Sequence, residues 1–105
     1  MTQLRENRTY MSDLTFEWDA AKAEANYRKH GVDFPTATEA FGDPFGIEEF
    51  DPFSDEYGED RFRLIAMGGG SLLAVVYVER TGNIRIISAR HASRQEHDDY
   101  YRQNS

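Results

Sequence analysis

The sequence predicts an α+β domain with two N-terminal helices, a four-stranded antiparallel sheet and a last helix, in the order α-α-β-β-β-β-α. Three observations predict it. Residues 19–31 carry the marks of both ends of a helix. Between residues 61 and 89, runs rich in β-branched and apolar residues are separated by glycine-bearing turns. The chain then closes on a capping box, with Ser93 three residues before Glu96.

The elements follow in order. Residues 1–13 are polar and aperiodic, with a second methionine at Met11, and predict a disordered leader before a single domain over residues 14–103. "TFEW" is a short apolar entry. Asp19 is the N-cap candidate of a helix over Ala20–His30, with Gly31 as its left-handed C-terminal residue. A shorter helix begins near Phe34 with Pro35 in its first turn, and Gly42 and Pro44 stop it. "FGIEEF" suits a short edge strand, and "DPFSDEYGED" an acidic, mobile loop. "RFRLIAM", "SLLAVVYVE" and "IRIISA" are strands joined by "GGG" and "RTG", and a helix runs from Ser93 to about Arg102.

Charge divides the chain. The 105 residues carry a net −7, yet residues 14–60 hold 13 acids against 3 bases, whereas residues 61–105 hold 4 acids against 7 bases, every one an arginine. The total argues against broad affinity for nucleic acid, while the arginine-rich end suits bidentate contacts to phosphate. The absence of cysteine excludes disulfides, thiolate metal sites and cysteine nucleophiles. No apolar targeting segment opens the chain and the run Leu72–Val78 is too short to span a bilayer, which predicts a cytoplasmic protein without membrane contact.

Most candidate motifs have a plain structural reading. "GGG" lacks the lysine and helix of a phosphate loop and reads as a hairpin turn. His91 and His97 are six residues apart across a helix start, which is no metal-ligand spacing, so neither metal nor other cofactor is expected. His30 suits a helix C-terminus. Phe16, Trp18 and Tyr27 read as core aromatics. Of Tyr100 and Tyr101, one packs the last helix on the sheet and the other is available to stack on a base. Arg61, Arg63 and Arg85 lie inside strands and mark either the solvent face of a sheet or a binding surface.

Strand register can be argued from the loops. If residues 68–70 and 80–82 are three-residue loops, Arg61 faces Tyr77 and Tyr77 faces Arg85. Phe62, Leu64, Ala66, Leu72, Ala74, Val76, Val78, Ile84 and Ile86 then form the core face, with a row Arg61, Tyr77, Arg85 on the other and Arg63 and Arg90 in reach.

"FEWDAAKAEANYRKHGVDF" and "IRIISARHASRQE", with the spacing between them and "LLAVVYVER", resemble the BrnT family, across roughly residues 15–101. The resemblance implies a RelE-like fold and a metal-independent endoribonuclease toxin of a type II toxin–antitoxin module, acting by attack of the RNA 2′-hydroxyl on its own phosphodiester and inhibiting translation. It implies RNA as substrate. It also implies a ribbon-helix-helix antitoxin whose dimerisation gives a heterotetramer and through which operator DNA is bound. Catalysis is expected from Arg61, Tyr77, Arg85 and Arg90, and RNA binding from Arg63, Arg94, Tyr100, Lys29 and His30. The last helix, "RQEHDDYYRQ", is less basic than the family's, and His91 stands where a basic residue is common. The alternative is a catalytically weakened homologue that acts as a co-repressor with its antitoxin. The acidic stretch over residues 43–60 is expected to meet the antitoxin or stay mobile, and not to meet RNA.

Overall fold

A computed structural model describes residues 14–51 and 59–105; the expected leader and the middle of the acidic loop lie outside the described residues. The elements are β1 (Thr15–Glu17), α1 (Ala20–His30), α2 (Phe34–Glu39), a 3₁₀ turn (Ala40–Gly42), β2 (Ile47–Phe50), β3 (Phe62–Gly68), β4 (Ser71–Arg80), β5 (Asn83–His91) and α3 (Arg94–Gln103). The α+β class stands, but among the described residues the sheet has five strands, in the order β1-β5-β4-β3-β2. The extra strand is the apolar entry, which pairs parallel with β5 through Thr15–Asn83, Phe16–Ile84 and Glu17–Arg85. Three residues carry too little periodicity to announce a strand; the free edge of β5 makes it one.

The register differs from the three-residue-loop expectation. Gly68 pairs with Ser71, leaving Gly69 and Gly70 as a two-residue turn, and Arg80 pairs with Asn83 around a second two-residue turn. Gly69 and Gly70 both have positive φ, +60° and +82°, which a type I′ turn requires and which matches the right-handed twist of the strands. Gly68 is held to glycine for a different reason: a Cβ there would sit 3.1 Å from Ala40 N, Leu73 Cδ1 and Thr36 O. Phe62 therefore pairs with Tyr77, and Tyr77 with Ile86.

This register gives the sheet two covered faces. On one, α1, α2 and the 3₁₀ turn pack Ala23, Phe34, Ala37 and Ala40 onto Leu64, Ala66, Leu73, Val75, Tyr77, Ile84, Ile86 and Ala89. An aromatic file crosses it from Phe16 through Phe41, Tyr77 and Phe62 to Phe50, with ring centroids 5.0–5.8 Å apart. On the other, α3 packs Tyr100 onto Ile65, Leu72 and Ala74. β4 is buried on both faces, so its apolar residues could not identify one core face as the alternation argument assumed.

Local chemistry sets the helix ends as read. Asp19 accepts from Lys22 N at the start of α1, and Gly31 closes it at φ +73°. Tyr27 is exposed, not core; the buried residue of α1 is Asn26, one position earlier. Its amide donates to Ala89 O (2.8 Å) and Val32 O (3.1 Å), and its Oδ1 accepts from Ala89 N (3.2 Å). Asn26 thus satisfies the edge of β5 beyond the short β1. On the other face, Asp43 Oδ2 accepts from Tyr100 Oη (2.6 Å) and from Met67 N (2.9 Å), joining the end of the 3₁₀ turn to β3 and α3. Burial, with the Asp43 carboxylate beside it, pushes the Tyr100 phenol well above its ordinary pKa. Asp43 therefore ties the 3₁₀ turn, β3 and α3 together.

Asn26→Leu would remove the partner of the Ala89 N–H and C=O at the β5 edge and of the Val32 C=O between α1 and α2, at up to about 1–3 kcal/mol each. Urea unfolding should show a loss of about 2–4 kcal/mol at unchanged m-value, with Asn26→Asp intermediate.

Candidate functional site

The second sheet face carries charge beyond the reach of α3. Counting outward from the β3–β4 turn, its rows are Met67–Leu72, Ile65–Ala74–Arg90, Arg63–Val76–Ser88 and Val78–Arg85. Arg61 stands one residue before β3, and its carbonyl accepts from Asp51 N (2.8 Å); continuing the β3 register by one residue sets it across from Val78, in the row of Arg85. The two arginines expected to share a face do so, but the residue between them is Val78. Tyr77 is the correction: it is 3% exposed in the opposite core and is not presented with the arginines.

Arg85 and Arg90 are five residues apart, which in a regular strand would put them on opposite faces. They share one because β5 shifts register: Val76 pairs with Ser88 while Tyr77 pairs with Ile86, leaving Ile87 as a bulge. No pattern in "IRIISARH" marks that bulge, and sequence reasoning missed it.

Each paired arginine has a different hold on its carboxylate. Arg63 Nη2 donates to Glu49 Oε1 (2.6 Å), and its Nε is buried without a hydrogen bond, 3.8 Å from Glu96 Oε2. Arg85 Nη1 reaches Glu17 (3.3 Å), which Arg80 also approaches at 3.5 Å. Glu49 and Glu17 are more than a third exposed, so these pairs contribute little stability and exchange readily for another anion. Arg90 is different: its two Nη groups grip both oxygens of Glu96 at 2.8 and 3.0 Å.

Glu96 also accepts from Ser93 N (2.8 Å), closing the capping box, so one carboxylate ties the start of α3 to the sheet. Burial works to raise its pKa. The Arg90 hydrogen bonds, the Ser93 N–H and the charges of Arg90 and Arg63 outweigh that, and set it at about 2. The same contact raises the Arg90 guanidinium further above its ordinary value. Arg90 is thus engaged in holding α3.

The remaining candidates scatter. Tyr100 is 5% exposed and bound to Asp43, which corrects its expected stacking role; the exposed ring on that helix is Tyr101. Lys29 and His30 end α1, whose layer packs on the opposite face of the sheet from the arginines. Arg94 is exposed at the first position of α3. Among the described residues no group of three or more His, Asp or Glu side chains gathers as a cation site, and no helix is long and apolar enough to cross a membrane.

The family model for the ribonuclease toxin, BrnT, of type II toxin–antitoxin systems matches residues 18–96 of this chain. No curated protein shows a significant match. The matched span runs from the residue before the α1 cap to Glu96 and includes the whole arginine face.

Because the folded pKa of Glu96 lies below its ordinary 4.5, its contribution to stability is present above about pH 4.5 and is lost as pH falls toward about 2. Glu96→Gln should flatten this part of the acid-unfolding curve, followed by circular dichroism, and lower stability near neutrality.

Proposed function

This chain belongs to the BrnT family of ribonuclease toxins of type II toxin–antitoxin systems, and from that premise we propose that it cleaves RNA on the arginine-bearing face of its sheet. The observation that carries this is the row Arg61–Val78–Arg85 with Arg63 one row away, all on one face and outside the apolar layer under α3. In the proposed reaction the RNA 2′-oxygen bonds to the adjacent phosphorus as the bond from phosphorus to the 5′-oxygen breaks. The 2′-hydroxyl proton leaves to a base and the 5′-oxygen takes one up. The products are a 2′,3′-cyclic phosphate and a 5′-hydroxyl. Charge builds on the non-bridging oxygens, where planar guanidiniums bind them in pairs. Arg61 and Arg85 are assigned this stabilisation and Arg63 the neighbouring phosphate, while Arg90 positions α3 through Glu96.

The reaction needs no metal in this scheme, since the arginines supply the positive charge. Cleavage of message in the cytoplasm would inhibit translation. The fold is proposed to be RelE-like, and the partner a ribbon-helix-helix antitoxin in a heterotetramer, with operator DNA bound only through it. One observation favours a second reading: Arg63, Arg85 and Arg90 each already contact a glutamate. A catalytically weakened protein acting as co-repressor would keep such pairs closed.

Induced without antitoxin, the wild type should arrest growth and Arg61→Ala and Arg85→Ala should not. Each variant should lose about 10²–10³-fold in cleavage rate, matching the loss of other preorganised donors, at an unchanged urea midpoint. Growth arrest by both variants would remove the arginine row from the reaction; operator repression without cleavage by the wild type would favour the co-repressor.

Cleavage should survive EDTA and leave 2′,3′-cyclic phosphate ends, read by mass spectrometry of a short RNA. A 5′-phosphate product or a strict Mg²⁺ requirement would overturn the chemistry.

A further inference from the structure

The arginine face continues past Arg90 into a hollow of about 320 Å³ beside the β3–β4 turn, on the side covered by α3. Met67 and Leu72 line its apolar part, Ser71 and His91 its rim, and His97 and Tyr101 its wall on α3. Tyr101 is 57% exposed, and its ring has two aromatic neighbours. It stacks on His97, with centroids 6.3 Å apart and planes at 25°, and meets the buried Tyr100 edge-on at 5.1 Å. An exposed tyrosine ring offers a face on which a flat group such as a nucleobase can stack. The volume admits a purine, and the hydroxyl and two imidazoles offer donors and acceptors to its edge.

The position relative to the arginines decides what occupies it. Successive rows of the face are two residues apart along the strands, about 7 Å at ~3.4 Å per residue. The hollow is the row next to Arg90, whose Nη1 also donates to His91 O (3.2 Å). A strand of RNA with its backbone along Arg85 and Arg63 would reach the hollow within a few nucleotides. We propose that this hollow binds one nucleobase of the RNA, stacked on Tyr101, and so sets which nucleotide lies at a given distance from the scissile bond. The inference rests on the cleavage reading above, which names the face but no base site.

The test is methyl and amide NMR of the full chain with adenosine 3′-monophosphate as probe and ribose 5-phosphate as its baseless control. The nucleotide should shift the Met67 methyl and the Ser71 amide, and ribose 5-phosphate should not. Tyr101→Ala should weaken the nucleotide at least 5-fold, as loss of a base–aromatic stack does, and Tyr101→Phe should retain it. Tyr101 is exposed, so neither change disturbs the core, and His97→Ala serves as a second disruption. In cleavage assays Tyr101→Ala should change the distribution of cut sites rather than abolish cutting. Equal shifts from ribose 5-phosphate, nucleotide binding indifferent to Tyr101, or dependence of antitoxin binding but not nucleotide binding on Tyr101 would each overturn the proposal. The two readings fail separately: a wild type that never cleaves yet shows the base-dependent Met67 shift loses the reaction and keeps the site. Arg85-dependent cleavage with an unchanged cut pattern in Tyr101→Ala does the reverse.

Discussion

Strand parity, set at two points, governs where every charged side chain of the sheet points. The first is the Gly69–Gly70 turn, where two consecutive positive φ angles pair Gly68 with Ser71 and so place Arg63 across from Val76. A third loop residue would reverse every side chain of β3 relative to β4. The second is the bulge at Ile87, without which Arg85 and Arg90 would lie on opposite faces. Between them these features collect Arg61, Arg63, Arg85 and Arg90 on one face and bury Tyr77 on the other.

The helices then divide the two faces into different tasks. The face under α1 and α2 is an aromatic and aliphatic core, closed at the β5 edge by Asn26. The face under α3 is continuously apolar near the β3–β4 turn, where Ile65, Leu72 and Ala74 meet Tyr100, and farther out it alternates Val76 and Val78 on β4 with arginines on the flanking strands. The joint between the two regions is Glu96, which caps α3 and holds Arg90 at once. A single carboxylate therefore couples the seating of the last helix to the geometry of the arginine face. Its pKa of about 2 keeps that coupling ionised throughout the neutral range.

The acidic balance of the chain is compatible with a phosphate ligand because the charges are not mixed evenly. Glu17 and Glu49 neutralise half-buried arginines from side chains that remain more than a third exposed, so they screen the face without closing it. Glu96 is the exception, and its partner Arg90 is correspondingly committed to structure.

What the sequence determined by itself was local. Asp19, Gly31, Ser93 and Glu96 marked helix ends because capping acts between residues three or four apart, and all four hold those positions in the structure. The arginine content of the C-terminal half and the resemblance to BrnT were likewise legible without coordinates. The register was not, because β4 is apolar on both faces and periodicity cannot choose between two buried sides. Nor was β1, a strand only through its partner, or the Ile87 bulge, which exists only as a mismatch between β4 and β5. Which tyrosine is buried was also undecidable, since Tyr100 and Tyr101 differ by one helical position and are distinguished by packing on Ile65, Leu72 and Ala74 and by the Asp43 carboxylate. Capping is a property of a few consecutive residues, whereas register, bulges and burial are relations between segments distant in the chain, and folding alone brings those together.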